Sequence, residues 1–147
     1  MAKKKALPKK KAPEKKAPEK KKFVPVVAVD LDGCLADYDG WKGIEHIGNV
    51  KLGARRFLKK LQDDGYNVVI FSTRTCTVVN EEGRTSEQSA EIIRRWMKAN
   101  DLPECDIWTG DGKPIAVAYV DDRAVYCDGT DWERVLGEIR TLHDRNH

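Results

Sequence analysis

The chain has 147 residues, a formal net charge of +3 and four cysteines. That length suits one domain with a buried core, and no apolar run approaches the roughly 18 residues that a membrane span requires. The cysteines at 34, 76, 105 and 127 form no CxxC pair, which argues against a zinc site and for free thiols in a reducing compartment.

The net charge conceals two opposed parts. Residues 1–22 hold 11 lysines and 2 glutamates, a net of +9; the remainder holds 16 Lys and Arg against 22 Asp and Glu, a net of −6. The first part reads MAKKKALPKKKAPEKKAPEKKK, in which the pentad KKAPE occurs twice in succession. It has almost nothing to bury and its charges repel, so it is expected to be a disordered basic tail. Such a tail suits electrostatic attraction to nucleic acid or another polyanion, and also suits a purely solubilising role. Its charged start lacks the apolar stretch of a secretory signal, so a cytoplasmic protein is expected.

The domain is read as residues 23–147. Pro25 cannot donate to a central ladder, so the first strand is expected just after it, over Val26–Leu31. This strand is apolar on both faces, as in a parallel sheet covered on both sides. Asp37–Gly48, rich in Gly and aromatics and without a period, reads as a loop. Gly53–Asp64 reads as a helix with Ala54, Phe57, Leu58 and Leu61 on one face, stopped by Gly65. Asn67–Phe71 is a second apolar strand running into Ser72-Thr73-Arg74. A polar loop over Thr75–Arg84 follows. Thr85 and Gln88 then have capping-box spacing, ahead of a helix with Ile92, Ile93, Trp96 and Met97 on one face. Asp106–Thr109 and Ile115–Val120 are strand candidates, and Asp131–Leu142 is an amphipathic helix closing the domain. Strands alternating with helices predict an α/β fold with a parallel sheet and right-handed crossovers.

Three of the strands end in polar residues: Asp30 and Asp32, Ser72 to Arg74, and Asp121 and Asp122. Ligands bind at the carboxyl ends of the strands in an open parallel sheet, so these sets are expected to meet at one edge. Four carboxylates together raise one another's pKa, and a bound divalent cation removes the conflict. All-oxygen donors suit a hard ion, and Mg²⁺ favours phosphate-bearing substrates. Lys113 supplies a cation that can offset phosphate charge.

The ordered set resembles the haloacid dehalogenase superfamily of phosphohydrolases. DLDGCL at Asp30–Leu35 is similar to its first motif, VVIFSTR at Val68–Arg74 to the second, Lys113 in GKP to the third, and YVDDRA at Tyr119–Ala124 to the fourth. The likeness spans about residues 24–142 and is nearest to small phage and bacterial members, themselves similar to the phosphatase half of phage polynucleotide kinase-phosphatase. Cys34 stands where Thr or Val is commoner, a change expected to affect packing.

The resemblance implies a Rossmann-like three-layer sandwich and a Mg²⁺-dependent phosphatase. In it, Asp30 attacks phosphorus and forms an aspartyl-phosphate, the covalent strategy that splits one hard step into two. Asp32 protonates the leaving group and then activates water. Ser72, Thr73, Arg74 and Lys113 bind the phosphoryl group. Asp30, the Asp32 carbonyl, Asp122 and, directly or one shell out, Asp121 hold the metal. The 17 residues between Leu35 and Gly53 and the 39 between Thr73 and Lys113 are too few for the cap domain that many relatives insert. The site is therefore expected to be open, with Tyr38 and Trp41 on a substrate flap; for Trp41, packing on the domain is the competing role.

The expected substrate is a nucleotide or polynucleotide phosphate ester. The alternatives are a small-metabolite or phosphoprotein phosphatase, or an inactive nucleic-acid-associated protein. Response-regulator receivers also cluster carboxylates with a lysine, but there the lysine follows the acids, whereas here Lys113 precedes Asp121 and Asp122.

Overall fold

The computed structural model describes residues 2, 6–76 and 83–147. Four parallel strands, β1 (Val26–Val29), β2 (Asn67–Ile70), β3 (Asp106–Ile107) and β4 (Ala118–Val120), form one sheet in the order β3-β2-β1-β4. Three helices flank it: α1 (Ala54–Asp63), α2 (Ser86–Ala99) and α3 (Trp132–Arg145). This is the parallel α/β architecture that the alternating pattern predicts, and it is Rossmann-like, as the resemblance implies. No helix among the described residues is long and apolar enough to cross a membrane.

The chain steps outward from β1 to β2 to β3, then returns to place β4 on the far side of β1. That reversal opens a crevice above the carboxyl ends of β1 and β4. The register aligns Val29 with both Ile70 and Val120, so the three strands finish level.

The core lies between α1 and α2 and one face of the sheet. Val27, Val29, Val68, Ile70 and Ile107 supply that face, and Leu58, Ile93 and Met97 meet them from the helices. The sheet residues recur every second position, as the pleat requires. On α1, Ala54 and Leu58 are buried while Phe57 stays 37% exposed. Gly65 ends the helix at φ 90°, a conformation that favours glycine. On α2 the capping box forms as expected, Thr85 Oγ1 accepting from the Gln88 backbone N–H and Gln88 Oε1 accepting from the Thr85 backbone N–H. Trp96 packs against the core and donates its indole N–H to the Gly48 carbonyl at 3.0 Å.

Several expected boundaries shift for identifiable reasons. β1 stops at Val29, because the Leu31 carbonyl gathers the amides of Cys34, Leu35 and Ala36 and turns the chain. β3 is two residues long; after the Trp108 amide bonds to the Ile70 carbonyl, the Trp108 carbonyl is taken by Thr75 Oγ1 at 2.8 Å. β4 begins at Ala118, since β1 starts at Val26 and leaves Ile115 without a strand beside it. α3 departs from its expected role in closing the domain: it has no fully buried residue, and Trp132 and Ile139 are 61% and 50% exposed. Residues 6–22 carry no regular structure and are exposed. Most of the polar loop expected over Thr75–Arg84, with part of the tail, falls outside the described residues.

Candidate active site at the carboxyl edge of the sheet

A cavity of about 450 Å³ lies above the strand ends. Asp30, Asp32, Ser72, Thr73 and Asp121 line it, as the strand-end argument expects, and so do Tyr38 and Trp41 from the flap. Trp108, Asp111 and Arg123 also line it, and sequence reasoning did not single them out. Trp108 and Asp111 follow β3, so the rule applied to the other strand ends would have found them.

Asp30 leaves β1 with its amide still bonded to the Val120 carbonyl at 2.8 Å. Burial pushes its carboxyl up from 3.8 to about 7; the Leu31 amide bonded to Oδ1 works against this, and Asp121, Asp122 and Asp32 add to it. Asp121 and Asp122 follow β4 directly. Asp30, Asp121 and Asp122 each offer one carboxylate oxygen, all within 4.8 Å of one another.

Asp122 Oδ1 is buried without a hydrogen-bond partner among the described residues. Gly33, at φ 83°, backs this carboxylate so closely that a Cβ there would lie 2.5 Å from Asp122 Oδ2. An unpartnered buried carboxylate oxygen is costly unless something positive meets it. Together with the all-oxygen donor set, it fits a hard divalent cation. The same burial and acidity push the Cys34 thiol up to about 11, so it stays protonated at neutral pH.

Asp32 is arranged differently. Its carboxylate lies outside that cluster and is forked by Arg74, with Nε 2.6 Å from Oδ2 and Nη2 2.8 Å from Oδ1. Arg74 is only 2% exposed. Its remaining bonds run to the flap, Nη1 to the Ile44 carbonyl at 3.0 Å and Nη2 to the His46 carbonyl at 2.7 Å. Its Cζ lies 5.0 Å from the centre of the Trp41 ring. Arg74 is thus absent from the cavity wall, and its hydrogen bonds run to Asp32 and the flap.

The flap is more ordered at its base than a plain loop. Ala36 bridges to Val50, and Asp37 donates to the Asn49 carbonyl at 2.8 Å. Trp41 remains 46% exposed and Tyr38 39%. Lys113 stands off the wall, with Nζ 4.0 Å from the centre of the Tyr119 ring. Ser72 Oγ accepts the Arg74 amide at 3.2 Å and so starts the 3-10 turn Thr73–Thr75.

No family model matches this chain. No curated protein matches it either. A solved structure, that of a conserved protein from Bacteroides thetaiotaomicron, is similar at 22% identity, with 81% of this chain and 92% of that chain covered and a TM-score of 0.49. A likeness that distant carries no argument about activity.

Proposed function

We propose that this chain is a Mg²⁺-dependent phosphate monoester hydrolase of the haloacid dehalogenase kind, working in the cytoplasm. The observation that carries this reading is the meeting of Asp30, Asp121 and the unpartnered Asp122 carboxylate beside Ser72 and Thr73 at one end of the sheet. Asp30, Asp121 and Asp122 would hold the metal. Bound there, Mg²⁺ offsets the charge of the three carboxylates and of the phosphoryl oxygens.

In the first step Asp30 attacks phosphorus. Its carboxylate oxygen forms a bond to phosphorus as the ester oxygen leaves with its electron pair, and Asp32, protonated from solvent as the substrate binds, gives that oxygen a proton. Arg74 sets the direction of Asp32 and stabilises the carboxylate left behind through two charge-assisted bonds. In the second step Asp32 takes a proton from water, which attacks phosphorus and frees Asp30 and inorganic phosphate. The Ser72 hydroxyl and the Thr73 side of the turn receive the phosphoryl oxygens, so positioning and charge neutralisation supply most of the catalysis.

The basic tail gives the acidic domain a means of reaching a polyanion, and nucleotide or polynucleotide phosphates are the substrates this reading favours. The test is a phosphate-release screen with Mg²⁺ and with EDTA, on nucleotides, 3′- and 5′-phosphorylated oligonucleotides, sugar phosphates and phosphopeptides. Release that needs Mg²⁺ and disappears in Asp30→Asn is expected. No release on any substrate class, or full turnover by Asp30→Asn, overturns the reading.

A further inference from the structure

Among the described residues, the cavity wall carries four carboxylates, Asp30, Asp32, Asp111 and Asp121, and a single cationic side chain, Arg123. The other two candidate cations are engaged elsewhere, Arg74 on Asp32 and the flap carbonyls and Lys113 on the Tyr119 ring. Arg123 is exposed and makes no ion pair among the described residues, although its own amide is bonded to Asp121 Oδ1 at 2.7 Å. Its guanidinium carbon lies 5.9 Å from the centre of the Tyr38 ring, near the outer limit of a cation–π contact. A loosely held arginine therefore stands at the mouth of an acidic cavity, between the end of β4 and the flap.

We propose that Arg123, with the Tyr38 ring beside it, is a subsite for a second anionic group, so that the substrate is a phosphate monoester whose leaving group bears another phosphate. This rests on the hydrolase reading for the place of the first phosphate. Asp30, Ser72 and Thr73 fix the reacting group at the strand ends, and the leaving group then extends outward to where Arg123 and Tyr38 face each other. An arginine binds a phosphate through two parallel N–H bonds, and the aromatic face covers the organic part between the two charges. The second phosphate can belong to a nucleotide or to a sugar bisphosphate, and the chemistry at Arg123 is the same for both.

The experiment uses the full chain and two substrate pairs, each pair differing by one phosphate: thymidine 3′-monophosphate with thymidine 3′,5′-bisphosphate, and fructose 6-phosphate with fructose 1,6-bisphosphate. KM is read from phosphate release in Mg²⁺, and Kd by calorimetry with Ca²⁺ substituted to slow turnover. The wild-type protein is expected to favour the bisphosphate of one pair by about tenfold or more, the effect of a hydrogen bond to a charged group, and the pair that responds names the source. Arg123→Gln is expected to erase that ratio. Absence of a preference in both pairs, or a ratio that survives in Arg123→Gln, overturns the proposal. A preference in Kd that is lost in Arg123→Gln, with no turnover of any of the four compounds, removes the hydrolase reading and leaves the subsite standing.

Discussion

Arg74→Met removes the fork on Asp32 while keeping most of the side-chain volume. The pair is largely dry, with the Arg74 side chain 2% exposed and that of Asp32 15%. Breaking a buried pair from one side costs about 3–5 kcal/mol, because the surviving charge is left uncompensated. The carbonyls of Ile44 and His46 also lose their donor, but the flap lies near water and they rehydrate, so the lower end, about 3 kcal/mol, is expected. That is a large share of the roughly 5–15 kcal/mol that holds a domain folded. Urea unfolding at pH 7 in EDTA measures it. A double-mutant cycle with Asp32→Asn is expected to return a coupling of about 2 kcal/mol or more, since the second change removes the charge that the first left stranded. Proteolysis between residues 37 and 48 is expected to quicken in Arg74→Met. A cost below about 1 kcal/mol together with additive single changes would refute the view that this arginine clasps both the acid and the flap.

Two further outcomes are expected. In EDTA, Asp30 holds its proton up to about 7 in the folded chain against 3.8 ordinarily, so its share of stability is greatest below pH 4 and declines as pH rises to about 7. Urea midpoints in EDTA are therefore expected to show wild type losing ground to Asp30→Asn over that range, and a constant difference contradicts the burial of Asp30. Deleting residues 1–22 is expected to leave the melting temperature nearly unchanged. The same deletion should flatten the salt dependence of binding to single-stranded DNA, because fewer counterions are released; a salt slope that stays the same assigns the tail to solubility.

The sheet was legible because its strands are short apolar runs whose lengths differ little from what the pleat needs. Val26–Val29 and Asn67–Ile70 stand out by composition alone, and the Thr85 and Gln88 spacing marked the start of α2 to the residue. The site was legible as strand ends, which is why Asp30, Ser72 and Asp121 were found together. The partners within it were not. A sequence gives Arg74 as one cation among several. Only the fold, which brings the turn after β2 beneath the Asp37–Gly48 flap, determines that its bonds go to Asp32 at a separation of 42 residues. Arg123 was hidden for a related reason, since an arginine after two aspartates reads as their ion-pair partner, whereas its side chain faces Tyr38. α3 was misjudged because a 3.6-residue apolar period records that a face is able to pack, not that a surface is there to receive it.

The central position of β1 also sets the order in which the site is born. Val27 pairs with Val68 on one side and with Ala118 on the other. The second partner is made 91 residues after the first half of the bond, a delay of about 5–18 s at roughly 5–20 residues per second. Through that interval β1 has at least one open flank, and Asp30 lacks the two carboxylates that crowd it in the finished fold. Any metal affinity of the proposed site would therefore switch on late and abruptly, once residues 118–122 join β1.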